Sequence, residues 1–178
     1  MNQTYDVIGI GNAIVDVISP APDTFLDQMG IEKGIMQLIE RERAELLYAS
    51  MSERVEAPGG SVANTLAGIG ALGLSTAFIG KVKDDALGRF YAQTMEASGT
   101  AFPYPPQAVD LPTSRSMIFV SPDGERSMNT YLGAGADISS SEVPDMFDGG
   151  GLLFLEGYLF DKPEGKTAFA EAAAKMKA

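Results

Sequence analysis

Three short stretches of the 178-residue chain carry side chains whose types and spacing could hold a polyhydroxyl ligand: Asn12 with Asp16, the run Gly59-Gly60-Ser61, and Asn64. Asp16 interrupts the apolar run Ile14-Val15-Asp16-Val17-Ile18. A carboxylate there must be paired or hydrogen-bonded, because leaving it desolvated costs several kcal/mol. On a functional reading, Asp16, Asn12 and Asn64 converge above a sheet as acceptors and donors for vicinal hydroxyls, through charge-assisted hydrogen bonds of about 1.5–3 kcal/mol each. Such a cluster suits a sugar. Gly59 and Gly60 would let backbone N–H groups approach a ligand at the positive end of a helix that begins at Ser61, with the serine as its cap. A structural alternative stands beside each feature. Gly59-Gly60-Ser61 is also a turn with an N-cap, Asn64 an exposed helix residue, and Asp16 an edge-strand residue that faces solvent or pairs with Arg115.

Composition narrows the chemistry. The chain has no cysteine and no histidine, which removes disulfides, thiolate nucleophiles, most zinc sites and the usual neutral-pH general base. Carboxylates, lysine, backbone amides or a borrowed metal are left. A net charge of −11 argues against a nucleic-acid partner. It does not exclude a phosphorylated small ligand, since a local nest of amides outweighs a distant net charge. The apolar runs at 7–10 and 152–155 are too short to cross a bilayer, and residues 1–6 lack a cationic start. The expectation is a cytoplasmic protein with no membrane partner.

The elements that would position these residues read as α/β. Residues 7–10 and 75–80 are compact apolar runs expected to be buried strands, and 151–156 resumes as a third. Residues 40–51, 85–98 (ending at Gly99 as a C-cap) and 164–178 are expected helices. The alternation implies a mainly parallel sheet flanked by helices. Gly68, Gly70 and Gly73 fall in the helix expected after Ser61, where each interior glycine costs about 1 kcal/mol. Close packing against neighbouring backbone, helped by Ala63, Ala67 and Ala71, is the expected offset. Four prolines at 102–112 preclude helix, and 114–120 with 126–132 form a hairpin around Ser121-Pro122-Asp123-Gly124, the composition of a type I turn. An antiparallel insert of this kind often forms a lid over a ligand site.

Asn12 with Asp16, Gly59-Gly60-Ser61 with Asn64, and "FIGKVKDDALG" at 78–88 together resemble the ribokinase or PfkB family of carbohydrate and nucleoside kinases. "SPDGERSMNTYLGAGADIS" at 121–139 and "LEGYLF" at 155–160 look most like its bacterial adenosine-kinase-like branch. The resemblance runs in order over essentially the whole chain. It implies a ribokinase-like α/β fold, with a small antiparallel β-lid built from segments at about 13–39 and 102–132 that closes over a sugar or nucleoside. Matched by position, Asp16 would hold two sugar hydroxyls, Gly60 would offer its amide, Asn64 and Asn12 would complete the hydroxyl contacts, and Ser61 would lie against base or sugar. Glu156 takes the place of a glutamate that lies near substrate or metal-bound water in sugar-kinase members. Phe25, Met36 and Leu38 are the apolar lid residues on which selectivity for a base would depend.

The resemblance further implies phosphorylation of a primary hydroxyl by ATP with Mg²⁺, on a nucleoside or sugar, adenosine favoured, and a homodimer through the lid sheet. Family members transfer phosphate with an aspartate in a Gly-Ala-Gly-Asp segment of the C-terminal, ATP-binding part. That part is absent from this chain, so the expectation is an acceptor pocket and lid without catalytic residues, inactive alone. "GAGAD" at 133–137 is no substitute, because it follows a hairpin strand and carries an extra alanine; Asp137 reads as a turn or cap residue. Lys83 stands where the family often has glycine and is assigned to a surface turn, and Asp84 with Asp85 to a helix start. Gly9-Ile10-Gly11-Asn12 lacks the third glycine and the distant acid of a dinucleotide-binding loop. A non-catalytic sugar-binding or dimerising fragment is the competing reading.

Overall fold

The computed structural model describes residues 4–143 and 151–176. From the amino end, β1 (Val7–Ile10) passes through residues 11–13 into β2 (Ile14–Pro20). Then follow α1 (Asp23–Gln28), β3 (Met36–Leu38), α2 (Arg41–Ser50), β4 (Val55–Gly59) and α3 (Ser61–Ala71). The chain continues through β5 (Thr76–Ile79), α4 (Ala86–Ala97), β6 (Thr100–Ala101), β7 (Ser114–Val120) and β8 (Arg126–Tyr131), to β9 (Leu152–Leu155) and α5 (Pro163–Lys175). The expected helix at 164–178 is present to Lys175, and residues 177–178 lie outside the described part.

Two sheets result. The main sheet runs β6-β5-β1-β9, with every pairing parallel. Its strands are short apolar runs because helices cover both faces. On one face α3 and α4 pack through Val62, Leu66, Tyr91 and Met95 onto Val7 and Phe78. On the other, α5 sets Ala168, Phe169 and Ala172 against Ile8, Ile10, Ala77 and Ile79. Asp85 caps α4 by accepting the Gly88 N–H at 2.8 Å, which settles this residue as structural.

The close approach expected of α3 is made by a glycine on the strand instead. A Cβ on Gly9 would lie 2.4 Å from Val62 Cγ1 and 2.7 Å from Leu66 Cδ1. Gly68 faces open space, and Gly73, at φ 97°, lies beyond the helix in the left-handed turn that ends it.

The second sheet has the order β3-β8-β7-β2-β4. The β7–β8 hairpin is antiparallel as expected, and Gly124 N–H closes its turn on Ser121 O at 2.8 Å. The sheet as a whole is mixed, because β2 pairs with β7, and β3 with β8, in parallel. It also recruits β4, antiparallel to β2, from a stretch the sequence reading left unassigned. Residues 102–113 contribute no strand to it, and Phe102 is buried against Phe78 and Tyr91 in the main core. One face of this sheet carries Val15, Val17, Met117 and Phe119 into the core under α1 and α2, where Leu26 and Leu47 are fully buried; each such leucine contributes about 1.5–3 kcal/mol. The other face is open. Among the described residues no helix is long and apolar enough to cross a membrane.

Candidate functional site

Strand alternation explains the aspartate in an apolar run. Val15 and Val17 point into the core, so Ile14 and Asp16 point to the open face, where both line a cavity of about 530 Å³. Register then sets a row across the sheet: Asp16 is opposite Ser116, Ser116 opposite Thr130, and Thr130 opposite Leu38. All four line the cavity. The Ser116 and Thr130 hydroxyls bond to each other at 2.8 Å. Sequence reasoning missed both, although each falls on a residue of the hairpin with the parity of the open face. Met36, Met128, Ile14 and Leu132 make the remaining walls of this sheet apolar.

The opposite wall is the start of α3. Gly60 is its N-cap, with φ 98°, and a Cβ there would lie 2.4 Å from Asn12 O. Only glycine allows this turn. Ser61 is therefore the first helical residue and caps nothing; its hydroxyl turns to the Glu156 carboxylate. No side chain takes the free N–H groups of the first helical turn, which leaves the positive end of the helix open beside Gly60, Ser61 and Asn64, all cavity-lining. Gly59 meets Asp16 directly: a Cβ on Gly59 would stand 2.6 Å from each carboxylate atom. The buried Tyr91 hydroxyl holds Gly59 O at 3.0 Å. Burial, reinforced by the charges of Glu156 and Asp16, raises the Tyr91 pKa well above its ordinary value, so it stays a donor.

Asp16 has no hydrogen bond from the described residues. Burial pushes its carboxyl from 3.8 up to about 6, with the positive charge of Arg126 opposing. The pairing with Arg115 does not form, since Arg115 is the register partner of Val15 and its guanidinium lies 5.0 Å from the centre of the Tyr48 ring.

Asn12 and Glu156 meet at the carboxyl ends of β1 and β9, the end of a parallel sheet at which ligands bind. Glu156 Oε2 accepts both the backbone N–H and the Nδ2 of Asn12, each at 2.7 Å. The sequence expectation of Glu156 beside substrate or metal-bound water is thereby corrected: it is 5 % exposed and its oxygens are taken by Asn12 and Ser61. Among the described residues no group of three or more His, Cys, Asp or Glu side chains could hold a metal ion, so this part of the protein does not fit a Mg²⁺ site.

Of the apolar trio expected to face a base, Met36 and Leu38 line the cavity, 53 % and 61 % exposed, whereas Phe25 packs on Phe119, ring centres 5.3 Å apart. Asp137 ends the 3₁₀ turn Gly133–Ala136 and pairs with Lys162 at 2.5 Å, a turn residue as expected. Lys83 Nζ reaches Asp110 O at 3.1 Å, outside the cavity. Below the hairpin return, Lys81 bonds Glu142 at 3.0 Å and Asp137 O at 3.0 Å, 14 % and 5 % of the two paired side chains being exposed. Burial would raise the Glu142 pKa, but hydrogen bonds from Ser139 and Lys81 outweigh it and hold it below the ordinary value.

Comparison with known proteins fits this geometry. Residues 33–178 match the family described as pfkB family carbohydrate kinase. The chain is 28% identical over 135 residues to aminoimidazole riboside kinase of Salmonella typhimurium, covering 75% of this chain and 42% of that protein. It is 30% identical over 132 residues to a fructokinase of Escherichia coli, covering 73% and 43%. Among solved structures, adenosine kinase of Sinorhizobium meliloti superposes with a TM-score of 0.86 at 49% identity, over 97% of this chain and 53% of that one. A probable sugar kinase of Rhizobium etli gives 0.84 at 43% identity, with the same coverage. The chain thus spans less than half the length of these curated relatives.

Proposed function

The chain belongs to the pfkB family of carbohydrate kinases, and from that premise we propose that it forms the acceptor-binding part of an ATP-dependent kinase acting on the primary hydroxyl of a nucleoside, adenosine or a related riboside. One observation carries the reading. A half-buried carboxylate, Asp16, with no hydrogen bond from the described residues, faces a cavity that has a free helix N-terminus on one side and an apolar wall of Met36, Leu38, Met128 and Leu132 on the other. A vicinal diol supplies the two donors that the carboxylate lacks. A planar base suits the apolar wall, which a free sugar would leave uncovered. The 49% identity to an adenosine kinase favours the same ligand.

In this account Asp16, Asn12 and Asn64 hold the ribose, Gly59 and Gly60 let it approach the helix, and the primary hydroxyl is left free to attack the γ-phosphate of ATP. Catalysis is by positioning and charge stabilisation. Mg²⁺ and the phosphoryl donor need groups that the described residues do not supply. The open face of the second sheet acts as the lid, and its edge strands, β3 and β4, are where a second copy would pair. The test is phosphoryl transfer by the full-length protein from radiolabelled ATP to adenosine, ribose and fructose. Transfer to adenosine with the highest kcat/KM supports the reading; transfer to neither adenosine nor any sugar overturns it.

A further inference from the structure

Glu156 joins three parts of the chain that are remote in sequence. It follows β9 and extends the main sheet by donating its backbone N–H to Ile10 O at 3.0 Å. One carboxylate oxygen takes two N–H groups of Asn12, and the other takes the Ser61 hydroxyl at the head of α3. The close fit requires Gly11, whose Cβ would stand 3.0 Å from Val62 and 3.3 Å from Glu156 Oε2. Asn12 is the part that matters for a ligand. Its side chain is 4 % exposed, its Nδ2 is spent on Glu156, and its Oδ1 is buried without a partner at the cavity wall. A carboxamide free to flip would offer the cavity a donor or an acceptor. With its nitrogen held by a carboxylate, it can offer only the oxygen.

We propose that Glu156 is a positioning residue that acts through Asn12. It fixes the asparagine amide so that Oδ1 faces the ligand beside Asp16, and the cavity then presents only acceptors to the ligand's hydroxyl donors. This rests on the cavity being the nucleoside site. Glu156 does not touch the ligand in this account. It sets the polarity of a residue that does, and it ties the β1–β2 crossing to the head of α3, so that the diol-binding groups keep one spacing.

A double-mutant cycle on the full-length protein, read by calorimetry with adenosine, tests the coupling. Asn12→Ala and Glu156→Ala each weaken binding about tenfold, and the double variant is no weaker than about tenfold, because Glu156 has nothing left to position. A double variant weakened about a hundredfold means that the effects add and Glu156 contacts the ligand itself, which overturns the proposal. If the alanine variant does not fold, Glu156→Gln replaces it, with a smaller loss that also vanishes in the Asn12→Ala background. A second readout needs no ligand. In ¹⁵N-asparagine-labelled protein the Asn12 carboxamide protons exchange slowly with solvent, and exchange accelerates at least tenfold in Glu156→Ala; unchanged exchange overturns the proposal. Were the wild type to bind neither adenosine nor ribose, the functional reading would fail, while the exchange measurement would still decide the role of Glu156.

Discussion

Replacing Asp16 with asparagine separates what the carboxylate does for binding from what it costs the fold. Burial raises its pKa from 3.8 to about 6, and each unit corresponds to about 1.4 kcal/mol between protonation states. The full shift would amount to about 3 kcal/mol, and water screening of a half-buried group reduces this to about 1–2 kcal/mol. The sign follows from linkage. A carboxyl whose pKa is higher folded than unfolded favours folding below 3.8, and that advantage is lost as pH rises through about 6. At pH 7.5 the wild type therefore carries a charge it would be more stable without. Asp16→Asn should raise the Tm by about 2–8 °C at pH 7.5, by the scaling for a chain of this size, and by clearly less at pH 4.5. Binding moves the other way. Two charge-assisted hydrogen bonds become neutral ones, a loss of about 2–3 kcal/mol, or about fiftyfold in Kd for adenosine. Differential scanning calorimetry at the two pH values and titration calorimetry at pH 7.5 provide both numbers. A variant equally or less stable at pH 7.5, or one that binds adenosine as the wild type does, refutes the reasoning.

Gly60→Ala places a side chain at φ 98° and 2.4 Å from Asn12 O, so it should cost about 1–3 kcal/mol of stability and abolish adenosine binding, as thermal melts and titration would show. Met36→Ala with Leu38→Ala removes two exposed side chains, so the Tm should stay within about 2 °C while adenosine binding weakens about tenfold and ribose binding is unchanged; an equal loss for both ligands would place the base elsewhere. Lys81→Met leaves Glu142 charged and buried, which should destabilise the protein by about 3 kcal/mol in denaturant titration. The Glu142 contribution, with its lowered pKa, is present above 4.5 and is lost as pH falls through the folded value, so the gap between Lys81→Met and wild type should narrow in acid.

What the sequence disclosed and what it hid divide along physical lines. β1, β5 and α4 announce themselves through local signals: an apolar run, or an N-cap aspartate followed by Leu87, Tyr91 and Met95 at helical spacing. The hairpin is equally local, set by Pro122 and Gly124. β4 is not, because Val-Glu-Ala-Pro-Gly neither alternates nor favours strand; it is one by virtue of pairing with β2 at the edge of a sheet, where Pro58 is tolerated. β3, three residues long, is held by β8 alone. At the site, Asp16 was conspicuous as a charge out of place. Ser116 and Thr130 were not, since register between strands a hundred residues apart decides which of several small polar residues faces the cavity. The bond from Ser61 to Glu156 spans 95 residues, and nothing local distinguishes an inward-turned serine from a capping one.

The most direct test is a crystal structure of the full-length protein with adenosine bound. The account predicts the ribose 2′- and 3′-hydroxyls at about 2.5–3.0 Å from the Asp16 carboxylate, the base against Met36 and Leu38, and the primary hydroxyl turned away from the sheet. Adenosine seated instead in the groove at the other end of the main sheet, lined by Tyr5, Thr76, Thr100 and Phe102, or bound in the cavity with its diol out of reach of Asp16, would contradict it.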